Sequence, residues 1–161
     1  MTGLLKRNIR RGVIALSAVV LALGLTSVPA AAHTLHSAVT SSVGCGWDGD
    51  YEVLEHSDVT AFGERLGRVY LLWNDAGTRS GHNCVVTRKF GVAHGTASYA
   101  SAALGVQGRD NPPADHDDDY GHYSAVTDWA RGHCVNYRGW VEHPETGAMG
   151  IGGDQSWQYC S

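Results

Sequence analysis

The residues of this 161-residue chain most able to do covalent chemistry are its four cysteines, Cys45, Cys84, Cys134 and Cys160. No two of them form a C-x-x-C pair, which argues against a structural zinc site or a thioredoxin-type redox couple. An even number in an exported chain argues for two disulfides instead. A second cluster is the acidic run Asp115-His116-Asp117-Asp118-Asp119, where Asp115, Asp117 and Asp119 could offer carboxylate oxygens to calcium. The run fails the EF-hand template, because Tyr120 stands where glycine should follow and Val126 where a bidentate glutamate belongs. A solvated acidic loop is the plainer reading.

Histidine offers a third chemistry. If the mature chain begins at His33, its α-amine and imidazole could chelate copper, with His36, another histidine or an aspartate completing the site. The Ser/Thr-rich residues that follow make a poor rigid support for a metal. His82, His94, His122 and His133 read as surface residues that begin to charge at about pH 5–6. No G-x-S-x-G elbow, H-E-x-x-H or other recognisable catalytic constellation occurs. The expectation is a protein that is not an enzyme and needs no cofactor.

Aromatic side chains can bind without reacting. Five tryptophans and seven tyrosines are generous for this length, and on a rigid β-face such rings stack on sugars or anchor a partner. Trp73 and Trp129 continue apolar faces and read as core. Trp47, Trp140 and Trp157 sit among polar or glycine neighbours and are the candidate ligand-binding residues.

The elements that must position these groups begin after an address. Lys6, Arg7, Arg10 and Arg11 precede an uncharged apolar run from Gly12 to Leu25, and Ala30 and Ala32 form an A-x-A cleavage site. The run is shorter than the ~20 residues a membrane span needs, so residues 1–32 read as a cleaved signal peptide, with a cut after Ala30 as the alternative. Cleavage removes four of the twelve Lys and Arg and none of the sixteen acidic residues, leaving about 129 residues and a net charge near −8. That is enough chain for one domain. Its acidic surface repels phosphates and so disfavours nucleic acid and anionic membrane as partners.

Residues 33–44 lack periodicity and read as a flexible leader; 45–161 read as the folded domain. Val69-Tyr70-Leu71-Leu72-Trp73 is apolar on both alternating faces, as in a strand buried on both sides. A turn-rich stretch joins it to a second strand over 84–90, with Cys84 at its start. Thr96–Gln107 is weighed as strand over helix, and 108–121, with two prolines and the acidic run, reads as a loop. Strands follow over 122–129 and 135–141, then a flexible glycine-rich link over 147–153 and a last short strand or tail ending at Cys160. Several short strands with Gly-rich turns point to an all-β fold, a small antiparallel β-sandwich or barrel-like domain.

In an up-down-up meander the start of one strand, the end of the next and the start of the third share an edge. This places Cys45 beside Cys84, and by the same logic Cys134 beside Cys160. Each such loop is worth roughly 3.5–4 kcal/mol in the chain-entropy model. Four cysteines allow three pairings, and the crossed arrangement Cys45–Cys160 with Cys84–Cys134 is the main rival.

Several motifs then look familiar. Cys45-Gly46 ahead of Tyr51-x-Val53, the run Val69-Tyr70-Leu71-Leu72-Trp73-Asn74, and Asn83-Cys84-Val85-Val86-Thr87 resemble the spore-associated protein A family of filamentous actinomycetes. So do Asp119-x-Gly121-x-Tyr123, Ala130-x-Gly132-x-Cys134-Val135 and the terminal Cys160. The chain departs from that pattern in the aspartate-rich loop 110–119, in a shorter 124–130 and in an added stretch from Glu142 to Gly150. The resemblance implies export and residence on the spore or aerial hyphal surface, and it implies no catalytic residues. Two other roles suit the same residues: a cell-wall or polysaccharide-binding module built on exposed Trp and Tyr, and a secreted protease inhibitor presenting 108–121 as its reactive loop.

Overall fold

A computed structural model describes residues 34–160. The signal peptide expected over 1–32, its expected cleavage point and the copper candidate His33 lie outside the described residues. One short helix, α1 (Leu35–Thr40), precedes eight strands: β1 (Glu52–Ala61), β2 (Glu64–Asn74), β3 (His82–Lys89), β4 (Ala100–Val106), β5 (Ala114–Asp117), β6 (Tyr123–Trp129), β7 (Val135–Glu142) and β8 (Met149–Gln158). They form one antiparallel sheet in the order β5-β4-β7-β8-β1-β2-β3-β6, curled into a nearly closed barrel. The choice of strand over helix for 96–107 holds: β4 contributes Ala102, Leu104 and Val106 to the interior.

Pleating sends alternate residues of each strand to opposite faces. Inside, Val59, Leu66, Val69, Leu71, Val85, Leu104, Tyr137 and Val141 make the main core. Outside, Tyr70, Leu72, Cys84 and Val86 form a second cluster with Ala38, Val39 and Trp47. The double-faced burial read from Val69–Trp73 thus has two partners, the barrel interior and a cover.

That cover corrects the reading of 33–44 as a loose leader. Thr34 caps α1, its Oγ1 accepting from Ser37 N–H at 3.1 Å. Ala38 and Val39 are fully buried, and their carbonyls accept from Cys45 and Trp47 N–H. A six-residue helix is unstable alone. Here packing on the sheet holds it, and so short a helix leaves no period to read.

Two further corrections concern strands read as loops. β5 lies within the acidic segment and pairs with β4, Ala102 opposite Asp115 and Ala100 opposite Asp117. β8 occupies the supposed glycine link and pairs with β7 along most of its length. Its glycines are there for closeness: a Cβ on Gly152 would sit 2.7 Å from the Asp58 carbonyl oxygen of β1. Only a residue without a side chain lets β8 close against β1 at that point.

The seam between β5 and β6 is bridged by a side chain. Asp115 Oδ2 accepts from Ala125 N–H at 3.0 Å and from Ser124 Oγ at 2.7 Å, while Oδ1 accepts from the Tyr120 hydroxyl at 2.7 Å. Burial, and then this bond to Asp115, pushes the Tyr120 hydroxyl pKa well above its usual range.

The two ends of the barrel are fastened differently. At one end lie both disulfides, Cys45–Cys84 and Cys134–Cys160, closing separations of 39 and 26 residues in the pairing expected from the meander. At the other end Lys89 is fully buried. Its Nζ lies 2.6 Å from the Tyr120 carbonyl oxygen, 2.6 Å from Ser98 Oγ, 2.8 Å from the Thr96 carbonyl and 3.1 Å from that of Ser98. One ammonium so ties β3 to the segments leading into β4 and β6. Burial pulls its pKa down to about 8, with Glu142 pushing back.

Candidate functional site

Strand β7 presents the clearest binding surface. Its residues alternate strictly: Val135, Tyr137, Gly139 and Val141 point inward and are buried, while Asn136, Arg138, Trp140 and Glu142 point outward and are half-buried. On the neighbouring β4, Ala103 lies opposite Arg138 and Gly105 opposite Asn136, small residues that leave the outer face low. The Arg138 guanidinium sits 5.4 Å from the centre of the Trp140 ring, a cation–π distance that holds the indole in place. Pro112 and Gln155 close the sides of a shallow hollow of about 170 Å³ over this floor. Asn136 Nδ2 donates to the Gln155 carbonyl at 3.2 Å. An indole edge, a guanidinium and amides around a shallow floor can take a polar ring by stacking and hydrogen bonding.

The other candidate tryptophans are elsewhere. Trp47 is only 2 % exposed, sealed under α1, so the reading of it as a ligand platform is corrected. Trp157 is 48 % exposed on β8, but Trp140 is paired with Ile151, six residues earlier, which separates the two rings by roughly 20 Å of strand. They do not make one platform.

Two tryptophans read as core are partly open. Trp129 is 41 % exposed at the end of β6, beneath Arg109 and against His133. Trp73 is half-buried at the end of β2. Both continue an apolar face in register, yet each lies where the strand runs past the layer that covers it. Alternation gives the face; it does not give the height of the cover.

The acidic segment holds its carboxylates for other partners. Asp115 is engaged at the β5–β6 seam, and Asp117 Oδ1 accepts from Asp119 N–H at 3.1 Å. Among the described residues no group of three or more histidine, cysteine or acidic side chains is arranged to hold a metal. The part of 108–121 proposed as a reactive loop is shortened by β5, and Arg109 is tied back to Asp128 in an ion pair.

The four histidines read as surface residues are all half-buried. His82 Nδ1 lies 3.0 Å from the Arg79 carbonyl and His133 Nδ1 3.0 Å from that of Gln107, while His94 and His122 meet at 3.4 Å. No membrane-crossing helix, long and apolar enough, occurs among the described residues. Comparison with protein-family models, with characterised proteins and with solved structures found no match. The likeness to the spore-associated protein A family therefore rests on the motifs quoted above.

Proposed function

We propose that this is an exported, non-enzymatic protein of the spore or aerial hyphal surface that holds cell-wall polysaccharide on the outer face of its barrel. The observation that carries the reading is Trp140, turned outward by strict alternation on β7 and held beside Arg138 over a low floor of small residues. Two disulfides support passage through an oxidising compartment, where such bonds form and persist. The motif resemblance supplies the surface location.

Retention on insoluble chitin, cellulose and peptidoglycan tests the binding role. The protein is expected to be held by at least one, and Trp140→Ala to release it while Trp157→Ala has the smaller effect. Failure to bind all three, or undiminished binding of Trp140→Ala, refutes the role. Fractionating spores and culture medium with intact-mass analysis tests the location, and a cytoplasmic form with four free thiols refutes export.

A further inference from the structure

The disulfide-bearing end of the barrel contains a cleft that the Trp140 surface does not touch. Two adjoining hollows, of about 270 and 440 Å³, share Glu52 and Trp73. Leu54, Asn83 and Tyr159 line the first; Asp50, Tyr51, Asn74 and Asp75 line the second. These sizes fall in the range of small-ligand sites.

Its walls are fixed. Asp50, Tyr51 and Glu52 lead out of the segment anchored by Cys45–Cys84, and Tyr159 precedes Cys160 of the second bridge. Tyr159 is held with φ 51°, a left-handed conformation costly for a side-chain-bearing residue, by its hydroxyl donating to the Leu54 carbonyl at 3.0 Å. Walls that do not reorder on binding save the ligand that entropy.

The cleft's chemistry is one-sided. Three carboxylates line it, and no Lys, Arg or His does. Asp75 is already used: it accepts from Ser80 Oγ at 2.8 Å and pairs with Arg131, whose guanidinium lies 5.8 Å from the centre of the Trp73 ring. Asp50 and Glu52 have no ion-pair partner among the described residues. Asn74, 1 % exposed, uses Oδ1 to accept from Ala76 N–H, while its Nδ2 is buried without a partner among the described residues. Unpaired carboxylates beside aromatic rings suit a cation, which gains both from opposite charge and from the ring faces. Trp73 lines both hollows, with Tyr159 in the first and Tyr51 in the second, an extended wall that suits a chain of rings rather than a single side chain. A leftover amide donor suits a hydroxyl or ether oxygen.

We infer that this cleft is a second binding site, for a glycan carrying free amines, a polymer of de-N-acetylated amino sugar. It is independent of the Trp140 surface, which has no acidic side chain in its hollow.

Titration calorimetry of the disulfide-intact protein with glucosamine and N-acetylglucosamine hexamers, at low salt and mildly acidic pH, tests it. With the first surface silenced by Trp140→Ala, the amine form is expected to bind at least tenfold more tightly than the acetylated form. Asp50→Asn with Glu52→Gln should lose tenfold or more of that affinity at unchanged melting temperature. Asp118→Asn with Asp119→Asn, the same change in net charge far from the cleft, should leave it intact. Equal losses in the two double variants would reduce the effect to bulk charge and overturn the site. Absence of binding, equal binding of the acetylated hexamer by the Trp140→Ala protein, or tighter binding of a lysine-rich peptide would overturn it as well.

Discussion

Replacing Lys89 with methionine keeps an unbranched apolar stem while deleting the ammonium that ties off one end of the barrel. Four oxygens within 3.1 Å of Nζ then lose their donor, three of them backbone carbonyls; both bonds to Ser98 are buried, and those to Thr96 and Tyr120 partly so. A buried polar group left unsatisfied costs about 1–3 kcal/mol. Relief of the ammonium's own desolvation offsets part of the sum, so the net loss is about 3 kcal/mol near pH 7.

The pH dependence separates this account from simple loss of packing. The folded pKa of Lys89 is about 8, below the ~10.4 of an unfolded lysine. Between those values the unfolded chain binds more protons than the folded one, so this group's contribution rises with pH, by up to ~1.4 kcal/mol per unit. Below the folded value both states are charged and the contribution is flat. Burial raises the hydroxyl pKa of both Tyr120 and Tyr137, so above ~10, where unfolded tyrosines ionise first, stability turns down again. Urea unfolding followed by tryptophan fluorescence, on wild type and Lys89→Met, should therefore show a gap that widens by about 2 kcal/mol between about pH 7 and 9.5. A gap that stays constant or narrows over that interval refutes the buried charge. A variant as stable as wild type at neutral pH refutes the tie.

Two other substitutions probe the barrel's geometry. Phe62 at the β1–β2 turn is fully exposed with φ 48°, followed by Gly63 at φ 85°, the backbone of a turn that prefers Asn-Gly; Phe62→Asn should stabilise by about 1 kcal/mol, read as a higher calorimetric melting temperature, and a lower one contradicts the turn. Gly152→Val should cost about 2–3 kcal/mol by forcing β8 off the Asp58 carbonyl and Val59, and amide exchange should speed up at residues 58–60; unchanged protection there would mean the contact does not hold the seam.

Some of this architecture could be read along the chain. β2 declares itself because both of its faces are apolar, and β7 because its alternation is unbroken. The cysteine pairing followed from strand ends alone, since antiparallel neighbours bring alternate termini to one edge.

Other features exist only once the sheet curls. α1 is helical because a sheet face is there to receive Ala38 and Val39, and β8 is a strand because its glycines meet β1. β5 is fixed by pairing with β4 and by one carboxylate reaching across to β6. Trp47 is covered while Trp73 and Trp129 are partly open, an order that neighbouring residue types invert. Lys89, an ordinary charged residue in the sequence, becomes the plug of the barrel. The division has one cause: strand period and signal composition are properties of adjacent residues, whereas burial depends on which distant segment arrives on top, and closure of the barrel decides that.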